Sequence, residues 1–341
     1  MKLTGKQTWT YSKSLYINAT GTAVGPDEAA GPLSETYDIT FDELHCGQAN
    51  WELAERHLME QAIDICLQKS GKTPQDMDLF LSGDLINQTV IANYTARKNQ
   101  IPFLGMFGAC STSMETLALA SALIDGDFAN TVLTAVSSHN ATAERQFRYP
   151  TEYGGQKPDT ATYTVTGAGA SIVSTQPSPV KVTMATIGRV MDLGITDPFD
   201  MGSAMAPAAA DTIAAHLADT GRKSSDYDLI VTGDLSAVGS PILLQLLQEK
   251  NHDLSSNHQD CGLLVYRPDQ PVFAGGSGCA CSAVVTYGHL LKELKEGKLK
   301  RIFVVATGAL MNPTMVQQKE TIPTIAHGVV LEAADGGGMN G

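Results

Sequence analysis

The sequence predicts a duplicated α/β fold. Two similar halves, residues 1–178 and 179–341, each supply a mainly parallel sheet, and the whole is layered α-β-α-β-α around two buried helices. Three observations predict it: a strand-and-turn motif that occurs twice, a cysteine-bearing helix start that occurs twice, and apolar runs alternating with helical stretches of small residues. Such alternation implies mainly parallel sheets covered by helices, and self-similarity across a chain is the mark of a repeated unit.

The first repeat is Asp78-Leu79-Phe80-Leu81-Ser82-Gly83-Asp84-Leu85, which returns as Asp228-Leu229-Ile230-Val231-Thr232-Gly233-Asp234-Leu235. Each copy is an apolar run ending in a Gly-Asp turn, the pattern of a buried strand and its loop. The second is Gly108-Ala109-Cys110-Ser111, which returns as Cys279-Ala280-Cys281-Ser282. The stretch after Cys110 carries Met114, Leu117, Leu119, Leu123 and Ile124 with no charged face, so it is expected to be buried. Each helix leads to an apolar strand, Thr131–Val136 and Arg301–Ala306. Closing strands follow at Gly167–Val173 and Ala326–Leu331. The halves meet at the Pro-rich joint Gln176-Pro177-Ser178-Pro179. In Met201 to Ala210, Pro207 suits a first helical turn. The Gly-rich tail, Asp335 to Gly341, is expected to be unstructured.

Composition narrows the function classes. With 23 basic and 36 acidic residues the net charge is −13, which argues against nucleic acid. Six cysteines with no C-x-x-C pair argue against structural zinc and for reduced thiols. The polar start, Met1 to Ser12, has no secretory pattern, and no apolar run is long enough to cross a bilayer. Neither a cofactor nor a metal site is expected. His258, Asp260 and Cys261 lie close together but read as a polar surface loop.

Gly108-Ala109-Cys110-Ser111 and Gly167-Ala168-Gly169-Ala170 resemble the nucleophile turn and the glycine-alanine strand of the thiolase-like superfamily. The runs His139 to Pro150, Met201 to Asp211, Gly275 to Ser282 and Ile325 to Gly328 narrow this further. They look like the stage V sporulation protein AD family of spore-forming bacteria. That resemblance implies a thiolase-like duplicated fold without condensing activity. It also implies binding of dipicolinic acid, with calcium as a candidate companion, and service in dipicolinate uptake into the developing spore. The expected setting is a peripheral one at the forespore inner membrane or its cytoplasmic face, beside other membrane proteins of the same assembly. A homodimer is expected because thiolase-like folds usually dimerise.

A cysteine at a helix start feels the helix dipole, which lowers its pKa and favours thiolate. Cys110 is therefore the nucleophile of the alternative reading, an acyl-CoA or ketoacyl-type condensing enzyme. Condensing enzymes of this superfamily also need His, or His with Asn, for the oxyanion and the proton. The matching loops here carry Asp234-Leu235-Ser236 and Gly275-Gly276-Ser277-Gly278 instead. The expected pocket therefore binds rather than condenses. Its candidate ligand-binding residues are Cys110, Ser111, Thr112 and Ser282 at the helix starts, Asp84 and Asp234 at the twin turns, and His139, Asn140 and His327 near strand ends. Arg145 and Tyr149, with Arg148, Tyr153 and Lys157, lie in a loop that could fold over the pocket. Arginine suits bidentate carboxylate contacts, and tyrosine can stack on a ring.

Overall fold

Each half begins with a strand and a long helix whose ends the sequence writes explicitly. Strand β1 (Thr8–Val24) leads to helix α1 (Trp51–Ser70). Asn50 caps α1 by accepting from Leu53 N (2.9 Å), and Gly71 ends it at φ 66°. In the second half, strand β6 (Val180–Thr186) leads to helix α5 (Met201–Thr220). Asp200 caps α5 through Ser203 N (3.3 Å), and Gly221 ends it at φ 67°. The structure, a computed structural model, describes residues 2–147 and 157–334.

The remaining elements repeat in the same order. The first half has β2 (Leu79–Gly83), α2 (Val90–Asn99), β3 (Phe103–Gly105), α3 (Thr112–Asp125), β4 (Thr131–Ser138), α4 (Asn140–Phe147) and β5 (Gly167–Ser174). The second has β7 (Leu229–Thr232), α6 (Ser236–Glu249), β8 (His258–Asp260), α7 (Cys279–Val284), β9 (Arg301–Ala309) and β10 (Thr324–Ala333). Helix α7 continues through a π-helical turn, Val285–Leu290, into Leu291–Lys295. Matching aspartates pin the strand starts: Asp78 accepts from Asn130 N and Thr131 N, and Asp228 from Lys300 N and Arg301 N.

Strand order is β3-β2-β4-β5-β1 in one half and β8-β7-β9-β10-β6 in the other. In each, four of the five strands run one way and one, β5 or β10, fourth in the order, runs against them. The sheets are thus mainly parallel in strand direction, as the alternation implies. The reversed strands β5 and β10 pair antiparallel with β4 and β9. The two sheets are not separate: β1 pairs antiparallel with β6, from Thr8↔Thr186 to Tyr16↔Lys181, and joins them edge to edge.

Three apolar cores separate the layers. One lies between α1, α2 and the first sheet, one between α5, α6 and the second, and the largest holds α3 and α7 between the sheets. Met114 and Leu117 of α3 are fully buried. Truncating either to alanine would cost about 2–5 kcal/mol. Pro207 departs from expectation, for it lies inside α5 rather than in its first turn. The helix begins earlier, at Met201 behind the Asp200 cap, where Gly202 packs closely on Gly239 of α6.

Candidate functional site

The turn before α3 places Cys110 between the halves. Ala109 takes φ 50°, and α3 follows from Thr112. The turn lies so close to β9 that a Cβ at Gly308 would stand 2.2 Å from the Gly108 carbonyl. Facing it, Gly278 opens α7 at φ 102°, where an added Cβ would meet Ser138 Oγ at 2.6 Å. Glycine is required at both places.

Cys110 lies beside the Asp234 carboxyl group. Asp234 is 1 % exposed. Its Oδ1 accepts from Thr307 Oγ1 at 2.5 Å and its Oδ2 from Gly278 N at 3.1 Å. Burial raises its pKa from 3.8 to about 7, against the lowering effect of these donors. Burial also pushes the Cys110 thiol well above its ordinary 9.0, and the Asp234 charge adds to that. This corrects the expectation of a thiolate: desolvation and a neighbouring carboxylate outweigh the helix dipole. Cys110 is a protonated thiol here.

Space at Cys110 is small, about 30 Å³, walled by Leu85, Phe107, Ala143, Phe147, Met201 and Met311 among others. That is room for about two waters. It adjoins a vestibule of about 420 Å³, with which it shares Leu85, Phe107, Phe147 and Met311. Asn87, Gln88, Gln146 and Asn312 bring amides to the vestibule. Gln88 and Thr89 both take positive φ there, 63° and 49°. Strain of this kind gathers at functional sites. Among the described residues no Arg, Lys or His lines either space.

Several expected ligand groups are engaged elsewhere. Ser111 Oγ donates to the Gly108 carbonyl and Thr112 Oγ1 to that of Ala109, both at 2.6 Å, so these hydroxyls build the turn. Ser282 Oγ pairs with Ser113 Oγ (2.7 Å) and ties α7 to α3. Asp84 accepts from Ile86 N (2.8 Å) and Ala92 N (2.9 Å), fixing the loop into α2 rather than facing a ligand. His139 bonds the Leu44 carbonyl through Nε2 (2.7 Å) and accepts from Ala141 N through Nδ1 (3.1 Å). His327 is buried in β10, where Nδ1 accepts from Gly188 N (3.3 Å), and burial lowers its pKa to about 4. The Asn140 backbone donates to Thr166 Oγ1 (3.0 Å), while its Nδ2 is buried without a partner. None of these side chains walls the space at Cys110.

Arg145 is nearly half exposed, ion-paired to Glu52 and placed over the Trp51 ring. Lys157 pairs with Glu144 at 2.9 Å. The Arg145 pair is exposed, whereas Lys157 is part-buried against the buried Glu144, and neither base walls the vestibule. Tyr149, Arg148, Tyr153 and the Gly-rich tail lie outside the described residues. His258 bonds Thr232 Oγ1 (3.0 Å) from within β8 and is not in a surface loop. No group of three His, Cys, Asp or Glu side chains among the described residues could hold a metal ion. No described helix is long and apolar enough to cross a membrane.

Sequence reasoning missed Thr307, which sets Asp234, and the walls Leu85, Phe107, Phe147 and Met311. All are non-titratable, and all but Leu85, which ends the first repeated motif, lie beyond those motifs. The signal that could have found Met311 is its place just past β9, matching that of Asn140 just past β4.

Comparison with known proteins follows the geometry. The family described as Stage V sporulation protein AD matches residues 5–332. The stage V sporulation protein AD of Bacillus subtilis (strain 168) is 66% identical over 336 residues, 98% of this chain and 99% of the relative. Among solved structures, the chain is similar to 3-oxoacyl-[acyl-carrier-protein] synthase III from Aquifex aeolicus VF5, with TM-score 0.59, 14% identity, and 93% of this chain and 99% of that one covered. OleA from Xanthomonas campestris gives TM-score 0.57 and 12% identity, covering 94% and 97%. At such identities the likeness shows a thiolase-like fold and nothing finer.

Proposed function

This chain belongs to the stage V sporulation protein AD family, and from that premise we propose that it is a thiolase-fold binding protein, not a condensing enzyme, that captures dipicolinic acid for uptake into the developing spore. One observation carries the reading: the Cys110 thiol stands beside a buried carboxyl group, Asp234, at the place where a condensing enzyme holds a base. A protonated thiol beside a carboxylate is a poor acyl acceptor.

The vestibule supports a ligand of this class. Its 420 Å³ falls within the range of small-molecule sites. Phe107 and Phe147 offer ring faces to a pyridine, and the amides offer neutral donors to its carboxylates. Each carboxylate loses hydration on entry, a cost of several kcal/mol that such donors must offset. The protein acts as a peripheral member of a membrane-associated assembly and as a homodimer. Strand β3 supports the dimer: it is an unpaired sheet edge, and Leu104, Phe107 and Tyr94 beside it are 44–47 % exposed.

Calorimetry tests the ligand. Wild type should bind dipicolinic acid at one site per chain, and Met311→Trp, which blocks the vestibule, should weaken binding at least about tenfold, roughly 1.4 kcal/mol. Absence of binding leaves an interaction subunit with a vestigial pocket. Intact-mass analysis after incubation with acyl-CoA separates the enzyme: an acyl group on Cys110 that turns over to a condensed product sinks the binding reading.

A further inference from the structure

We infer that capture of an anion at this site is coupled to uptake of one proton by the Cys110–Asp234 pair. The inference rests on the reading above, since it names the charge state in which the same pocket accepts dipicolinate.

The geometry makes the pair an uncompensated negative charge. Asp234 accepts two hydrogen bonds, from Thr307 and Gly278 N–H, and stands beside the Cys110 thiol; both donors are neutral. The titratable groups that face it from neighbouring elements are Cys110 before α3, Asp260 at the end of β8, Cys261 beside it, and Cys279 and Cys281 on α7. All are thiols or a second carboxyl group. His258, beyond Thr232, hydrogen-bonds away from the pair, and burial lowers its pKa to about 4, which leaves it neutral. No cation among the described residues lines the way in from the vestibule.

An anion in the vestibule faces the small space at Cys110, with Asp234 buried behind that wall. When Asp234 is ionised, like charges face each other across desolvated protein and repel. When Asp234 holds a proton, the repulsion vanishes. Burial already brings its titration to about 7, so a modest further bias by the ligand suffices. By linkage, ligand and proton each raise the other's affinity. The proton comes from solvent and rests on Asp234, with no bond to the ligand made or broken. Affinity is highest below the Asp234 pKa and falls as pH rises through it.

The test is calorimetry of dipicolinate on the whole protein from about pH 6 to about pH 8.5, in buffers of different ionisation enthalpy, where a one-proton linkage gives up to about a tenfold loss of affinity per pH unit. Proton uptake approaching one per ligand is expected at the upper end. Asp234→Asn should flatten the profile and bind more tightly than wild type at the upper end. The uncharged diamide of the same ring should bind wild type without pH dependence, if it binds. Wild-type binding that is flat with pH and takes up no proton overturns the inference and leaves the binding reading standing. Proton uptake that survives in Asp234→Asn overturns the assignment to this pair. No dipicolinate binding by wild type at any pH refutes the binding reading and this inference with it. The buffer comparison needs no variant, so a misfolded Asp234→Asn does not remove the test.

Discussion

Replacing Asp234 with asparagine should change how stability depends on pH, in the absence of any ligand. The carboxyl group ionises near 3.8 when free and near 7 when folded. A group whose folded pKa is raised contributes stability that is full below its unfolded pKa and is lost as pH rises through its folded one. From about pH 6 to about pH 8 the unfolded chain is ionised throughout, while the native group ionises midway. About one decade of the two therefore counts, or about 1.4 kcal/mol. For 341 residues at about 2.1 cal/mol/K each, the unfolding entropy is about 0.7 kcal/mol/K, so the loss lowers Tm by about 2 °C. An asparagine side chain in the same place would keep the geometry, accepting from Gly278 N–H and donating to Thr307, but cannot titrate. Scanning calorimetry at the two pH values should show wild type losing about 2 °C more than the variant. Glu28, Glu55 and Glu115 are also raised by burial, to about 7, 8 and 7, but they act alike in both proteins and cancel in the difference. Equal losses in the two proteins would refute a buried acid at Asp234.

Native protein incubated with iodoacetamide near neutral pH should stay unmodified by intact mass, since all six cysteines are buried; rapid labelling of Cys110 alone would contradict its protonated state. Gly278→Ala should cost more than about 2 kcal/mol in urea unfolding or fail to fold, because φ 102° is strained for alanine and its Cβ would meet Ser138 Oγ at 2.6 Å. An unchanged midpoint would show that the turn yields freely. Arg145→Ala should change stability by less than about 1 kcal/mol and dipicolinate affinity by less than about twofold, because its ion pair with Glu52 is exposed. A large loss of affinity would place Arg145 at the ligand. Leu104→Lys at the β3 edge should turn a dimer into a monomer by size-exclusion chromatography, and a persistent dimer would locate the interface elsewhere.

The repeat was legible because strands announce themselves in runs. Asp78–Leu85 and Asp228–Leu235 became β2 and β7 with the same parallel partner, β4 or β9. Which helix starts lie between the sheets was legible from the uncharged stretch after Cys110. The join of β1 to β6 was not, because pairing across the halves depends on register and not on composition. Of the residues named from the sequence, Cys110, Asp234 and Gly278 lie close together in the structure. The hydroxyls were misread. Ser111, Thr112 and Ser282 are donors in any list of residues, yet the turn and the helix pair claim them first.

The twin aspartates show why sequence symmetry does not settle function. Asp84 and Asp234 end the same strand in the same Gly-Asp-Leu turn. In the first half, Asp84 must hold the following loop itself, by accepting from Ile86 N and Ala92 N. In the second half that task falls to Asp260 at the end of β8, which accepts from Leu235 N, Ser236 N and Gly262 N. The donors that would have fixed Asp234 to its own loop are thus satisfied by a residue 26 positions away (Asp234 to Asp260). Asp234 is left to turn inward to Thr307, Gly278 and Cys110. A second buried carboxyl group then lies close by and raises the cost of ionising the first. Two aspartates therefore divide the work of this turn. Asp260 keeps the fold of the turn, and that releases Asp234 to stand behind the thiol.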